Sequence, residues 1–219
     1  GPENETIGNP LDRIMLLLGI IILFAYVVGS INAGLILSYL QGLDIRTKGS
    51  GNAGATNVLR VIGIKSGITV FIIDCLKGVL AIYGTNLLLS NSDQSLIFSK
   101  QIYFYTASLA SVVGHSYPVW FSFRGGKGAA TGLGNILYIY PSLTIGPLLV
   151  FIATLVLSKY VGLSTIFAFF SLSLFAYFWI GIEDIEFLTY LFLLFLFILY
   201  AHRDNIASML NKSEHKISF

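Results

Sequence analysis

The stretch from Ala129 to Ser158 reads AATGLGNILYIYPSLTIGPLLVFIATLVLS, with Tyr140-Pro141-Ser142 near its middle. It is apolar throughout and too long for one ordinary membrane span of about 20 residues. A proline disfavours helix continuation, so a turn is predicted at Tyr140-Pro141-Ser142. The alternative is one long kinked helix. Charge placement discriminates between the two, because Lys and Arg near span ends mark the cytoplasmic side.

The other apolar segments run roughly 14–40, 66–90, 102–120, 162–180 and 187–201. Arg46, Lys48, Arg60 and Lys65 fall in the first long loop, Arg124 and Lys127 in another, and Arg203, Lys212 and Lys216 in the tail. The loop holding Glu183, Asp184 and Glu186 has no cation. If 129–158 crossed once, that cation-free loop would face inside and the cationic tail outside. If it crosses twice, turning at Pro141, every cationic loop falls on one side. The expected fold is therefore all-α, a polytopic membrane protein with about seven spans and motif loops on the cytosolic face. The half-segment 129–140 is short for a span, about 18 Å at 1.5 Å per residue.

Composition agrees with this reading. The chain of 219 residues is 55% hydrophobic and 11% charged, with mean hydropathy +0.80. Soluble domains carry about 25% charged residues. Net charge +2 gives no reason to expect a nucleic-acid partner. Cys75 is the sole cysteine, which excludes an intrachain disulfide. Gly1-Pro2 reads as the scar of a protease cleavage. Residues 1–12 are expected to form a polar leader, 13–206 a single transmembrane domain and 207–219 a cytosolic tail.

Two glycine-rich cationic loops carry the expected chemistry. The first runs Gly49-Ser50-Gly51-Asn52-Ala-Gly-Ala-Thr56-Asn57, flanked by Arg46, Lys48 and Arg60. The second runs Phe123-Arg124-Gly125-Gly126-Lys127-Gly128. Glycines let the backbone approach a ligand and present its N–H groups. Arg60 can contact a phosphate through two parallel hydrogen bonds, whereas a lysine acts as a point charge. Gly125–Gly128 precedes small residues and suits a helix start, where an anion is favoured. The spacing is not that of a Walker A loop. His202 and Asn205 lie i,i+3 at the end of the last span and can share a face. His115 reads as a structural residue at a helix end. Asp74 and Lys77 are ionisable residues inside a span at pairing distance, read as a structural pair. No H-E-x-x-H, G-x-S-x-G or zinc spacing occurs, so neither a metal nor a cofactor is expected.

Several motifs in order resemble those of the bacterial acyl-phosphate:glycerol-3-phosphate acyltransferases, the PlsY family. They are Gly29-Ser-Ile, Asp44-Ile-Arg46, Gly49 through Arg60, Asp74-Cys-Leu-Lys-Gly78, Gly114-His-Ser-Tyr-Pro118, Phe123 through Thr131, and His202-Arg-Asp-Asn-Ile206. The resemblance covers nearly the whole chain after residue 12. It implies a multi-pass enzyme of the bacterial cytoplasmic membrane with seven transmembrane helices and a cytosolic site. The reaction implied moves an acyl group from acyl phosphate to the 1-hydroxyl of glycerol 3-phosphate, giving lysophosphatidic acid and phosphate. By position, Ser50, Arg60, Lys127, His202 and Asn205 match the family's active-site residues. Arg46, Lys48, Gly49, Gly51, Asn52, Asn57, Gly125, Gly126 and Gly128 join them as expected substrate contacts. Lys127 or glycine N–H groups would stabilise the oxyanion. His202, held by Asn205, or a substrate phosphate would accept the proton. The expected partners are the two substrates and membrane lipid, with no obligatory protein partner. Asn32 stands where many members have Pro, Ala201 where Arg is common, and Ser208 and Lys212 where Arg and Gly are frequent. A transporter of organic phosphate is the competing class, but its site would lie near the midplane, often with internal repeats.

Overall fold

The computed structural model describes residues 9–90 and 98–217. Gly1-Pro2, expected to be a cleavage scar, and most of the expected leader lie outside the described residues. The described chain is helical. Asn9 caps α1 (Pro10–Ser30) by accepting from Leu11 N at 3.2 Å. The chain leaves the helix at Ile31, and Asn32 caps α2 (Ala33–Leu40) by accepting from Leu35 N at 3.0 Å. After the first glycine loop come α3 (Ala55–Val61) and the long α4 (Ile64–Ser90). Next come α5 (Lys100–Ser116), α6 (Ala129–Ile139) and α7 (Ile145–Ser158). α8 (Val161–Leu174) continues as a π-helical stretch, Phe175–Ile180. α9 (Ile185–Ala201) ends at His202 and bends by 53° into α10 (Arg203–Leu210).

The predicted turn at Pro141 is present. Tyr140 leaves the helix at φ −150°, and Pro141 opens a 3-10 turn through Thr144 whose last hydroxyl donates to the Pro141 carbonyl at 2.7 Å. The two ends of the 129–158 segment then return to one side. Lys127 beside α6 and Gly162 beyond α7 both meet Asn205, while Tyr140 lies against Phe187 at the opposite end. By length and composition, four described helical segments can cross a membrane, or five if α9 and α10 form one bent span. α5, of 17 residues, and α6, of 11, are shorter than each of those four segments.

Close helix packing rests on small residues, as expected in lipid where van der Waals contact drives association. α1 packs on α5, and α4 on α6. A Cβ on Gly78 would fall 2.2 Å from the Thr131 carbonyl oxygen, and one on Gly134 1.9 Å from that of Cys75. Polar side chains are tied between spans. Asn135 donates to the Ser108 carbonyl at 3.2 Å and to Ser111 Oγ at 3.1 Å, and Ser108 Oγ meets the Tyr190 hydroxyl at 2.7 Å. An apolar core of Tyr105, Tyr190, Phe187, Leu191 and Leu194 fills the half of the bundle away from the glycine loops. Outward faces carry exposed Leu16, Leu23, Leu149, Leu157, Phe178 and Trp179, a lipid-compatible surface.

Candidate active site

The first glycine loop is built around Asn57, which is 2% exposed. Its Oδ1 accepts from Ser50 N at 2.9 Å. Its Nδ2 donates to the carbonyls of Lys48 and Asn52 at 2.9 Å and of Ile45 at 3.3 Å. One amide thus closes the loop on itself. Gly49 takes φ +55° and lies so close that a Cβ would fall 2.3 Å from Asn57 Oδ1. That combination of left-handed backbone and contact requires glycine. Asn57→Ala removes all four bonds and leaves buried donors and acceptors unpaired, at about 3 kcal/mol. Amide hydrogen exchange across 48–57 is expected to accelerate in that variant while the spans keep their protection.

Arg46 turns away from the loop interior. Its guanidinium pairs with Asp44 at 2.8 Å, donates to the Phe121 carbonyl at 3.0 Å and reaches the Tyr39 hydroxyl. The Arg46 hydrogen bond holds the Asp44 carboxyl below its ordinary value. Arg46 therefore clamps the first loop to the segment preceding the second. The sequence expectation of a direct phosphate contact does not match this placement.

The second loop is fixed by its backbone. Gly125 N donates to the Ser116 carbonyl at 3.0 Å and Gly126 N to the His115 carbonyl at 3.2 Å. Gly128 takes φ +82° and turns the chain into α6. Lys127 projects inward and donates to Asn205 Oδ1. Asn205 Nδ2 donates in turn to Glu214 Oε1 at 2.8 Å. The tail that carries Glu214 is held by Arg60, which donates to the His215 carbonyl at 3.3 Å, and by Ile217 N on the Lys159 carbonyl at 2.9 Å. Burial pulls the Lys127 ammonium down to about 8, against the opposing charges of Glu214 and Asp204. His202 is 4% exposed, and burial followed by the nearby Lys127 charge brings it down to about 4. Its Nδ1 lies 2.8 Å from the Ile198 carbonyl. A carbonyl only accepts, so Nδ1 carries the proton and Nε2 is a free acceptor. His202 is thus oriented by its own helix, and Asn205, expected to hold it, holds Lys127 instead.

These groups face one cavity of about 320 Å³. Ser50, Asn52, Asn57, Arg60, Lys127, Gly128, His202 and Asn205 line its polar end; Leu133, Ile136, Leu148, Phe151, Phe169 and Leu172 line the apolar arm between α6, α7 and α8. Arg46, Lys48, Gly49, Gly51, Gly125 and Gly126 are not among its described lining residues and stand behind it as loop framework. A polar, cationic end joined to an apolar arm can hold an amphiphile with a phosphate head.

The glycerol-3-phosphate acyltransferase family profile matches residues 19–212. The chain belongs to that family. A glycerol-3-phosphate acyltransferase of Aquifex aeolicus (strain VF5) is 37% identical over 197 residues, which is 90% of this chain and 97% of the relative. Crystal structures of PlsY (YgiH), an integral membrane glycerol 3-phosphate acyltransferase, share the fold. Its glycerol 3-phosphate form superposes with TM-score 0.80 at 36% identity, covering 92% of this chain and 96% of that one. Its lysophosphatidic acid form gives 0.78 at 35%, covering 92% and 95%. The chain is thus an integral membrane protein with relatives in bacteria.

Within this acyltransferase the cavity also reaches residues that the sequence reading left outside the site. Asp74, His115 and Glu214 line it. An ionisable pair inside a span signals function by default, and Asp74 with Lys77 gave that signal. Their third member, His115, comes from another helix and no spacing rule links it to them. Glu214 reads as an ordinary tail residue in sequence. Lys212 takes φ +57°, a left-handed conformation that favours glycine.

Proposed function

We propose that this chain transfers a fatty acyl group from acyl phosphate to the 1-hydroxyl of glycerol 3-phosphate at the cytosolic face of the bacterial inner membrane. The observation that carries the reading is the convergence of Lys127, Arg60, His202 and Asn205 on one polar cavity end continuous with an apolar arm. Arg60 and the loop closed by Asn57 hold one phosphate; Lys127 and the Gly125–Gly128 loop hold the other. Both are thereby placed together, which makes the reaction effectively intramolecular. The acyl chain lies in the arm lined by Leu133, Phe151 and Phe169, facing lipid. Seven apolar segments alternate across the bilayer, with α5 and α6 as its short spans.

The reaction is direct. The glycerol hydroxyl oxygen attacks the acyl carbonyl carbon, and the bond from that carbon to the phosphate oxygen breaks. Lys127 donates to the charge that develops on the carbonyl and phosphate oxygens. The free Nε2 of His202 accepts a hydrogen bond from the attacking hydroxyl and orients it. Burial, and then the Lys127 charge, weaken His202 as a proton acceptor. In this reading the proton passes to a substrate phosphate, and His202 serves to orient the hydroxyl.

Donor identity tests this reading. Palmitoyl phosphate should support lysophosphatidic acid formation and palmitoyl-CoA should not; equal use of the two donors would contradict it. A pH prediction follows from Lys127. Its ammonium is present below about 8 and lost as pH rises through that value. KM for a phosphorylated substrate is expected to rise above about pH 8 in the native protein. In Lys127→Arg, whose charge persists beyond pH 12, the rise should disappear. Substrate titrations between pH 6 and 10 check both.

A further inference from the structure

Beneath the second glycine loop lies a buried charged cluster that the proposed reaction does not use. Asp74, Lys77 and His115 are 1%, 4% and 3% exposed. Lys77 Nζ sits 2.8 Å from Asp74 Oδ1, 2.8 Å from His115 Nδ1 and 2.6 Å from the Ile31 carbonyl oxygen. An ammonium has three N–H bonds and no acceptor capacity. The Ile31 carbonyl and His115 Nδ1 each take one N–H, while Asp74 Oδ1 pairs with the ammonium by charge and has no hydrogen-bond partner of its own among the described residues. The Ile31 carbonyl lies where the chain leaves α1, at the break before α2. Asn32 Nδ2 reaches the His115 carbonyl at 3.5 Å.

This arrangement fixes the imidazole. Nδ1 accepts from Lys77, so the ring proton of the neutral imidazole is on Nε2. Asp74 Oδ1 is 3.6 Å from Nδ1, too far to take that proton. Nε2 lies against the second loop, since a Cβ on Gly126 would fall 2.1 Å from it. Gly126 adjoins Lys127, and both Asp74 and His115 line the cavity.

We propose that His115 is a further substrate-binding residue, whose Nε2–H donates to the phosphate held by the Gly125–Gly128 loop. Lys77 and Asp74 are positioning residues that set its tautomer. This proposal rests on the reading of that loop as a phosphate site. A neutral donor complements Lys127 there, because it adds a hydrogen bond without a second cation beside the first. Gly126 has no side chain because a Cβ there would collide with Nε2 of the imidazole.

The test is the KM and kcat of purified His115 variants with palmitoyl phosphate and glycerol 3-phosphate. His115→Leu should raise KM for one of the two substrates about 10- to 100-fold, the effect of losing a hydrogen bond to a charged group, with kcat within about threefold. His115→Gln offers an amide N–H near the Nε2 position and should restore KM to within about threefold, whereas His115→Asn offers it near Nδ1 and should not. Wild-type KM for both substrates in His115→Leu would overturn the proposal. If the leucine variant does not fold, equal KM values in the Gln and Asn variants would overturn it. Turnover by the native protein in the same assay separates these failures from failure of the acyltransfer reading, which would leave the native protein inactive as well.

Discussion

Lys127→Ala is expected to lower kcat/KM by about 10³-fold, the upper range for loss of one preorganised donor to a developing oxyanion. The protein should remain folded. Lys127 lies in a loop before α6 and outside the three apolar clusters of the bundle. Its donor bond goes to Asn205, whose other bond to Glu214 survives the change. Burial is the main cause that depresses His202 and the Lys127 charge the second, so removing the ammonium should let His202 titrate somewhat higher in the variant. Lys127→Arg keeps the cation but spreads it over a planar fork, and should recover part of the loss. Turnover near the native value in a folded Lys127→Ala protein would remove Lys127 from the reaction.

The second large effect is on folding. Gly134→Ala should cost more than about 3 kcal/mol, at or beyond the usual cost of overpacking a tight core. The added Cβ would sit 1.9 Å from the Cys75 carbonyl oxygen, a backbone atom that cannot step aside by changing rotamer. α4 and α6 must then separate. α6 has 11 residues and carries the second glycine loop at its start, so the damage would spread to the site. Gly19 provides the control. A Cβ there meets nothing within 4 Å, and Gly19→Ala should leave stability unchanged or slightly raised because alanine favours the helix. Thermal unfolding of the two variants in the same detergent decides the point. Equal midpoints would mean that α4 and α6 can separate at this contact at little cost.

The all-helical membrane class and the return at Pro141 were legible because they follow from bulk rules. Apolar length marked the segments, the Lys and Arg positions sorted the loops, and Pro141 marked the return. The structure places Lys127 and Gly162 at one end and Tyr140 at the other, as the charge argument required. The candidate site was legible in its residue types and less so in their partners. Gly49, Asn57 and Arg46 were read as substrate contacts because glycines, amides and cations suit phosphate. Positive φ at Gly49 and the Asp44 pair of Arg46 make those two framework, while Asn57 lines the cavity but commits its amide to four bonds within the loop. Sequence spacing reports neighbours on one helix, so it paired His202 with Asn205. The contacts that orient these residues come from Ile198, Lys127 and Glu214. The last two are tertiary contacts, which spacing along one helix does not encode. Asp74 and Lys77 were visible as a pair, but His115 completes them from 38 residues away.

Coupled product release tests the central claim most directly. The purified protein would be incubated with palmitoyl phosphate and glycerol 3-phosphate, and released phosphate and lysophosphatidic acid followed together. Equal release of both, dependent on glycerol 3-phosphate, is the predicted result. Phosphate released without the lipid, or neither product from folded protein, would contradict direct transfer between two substrates held in this cavity.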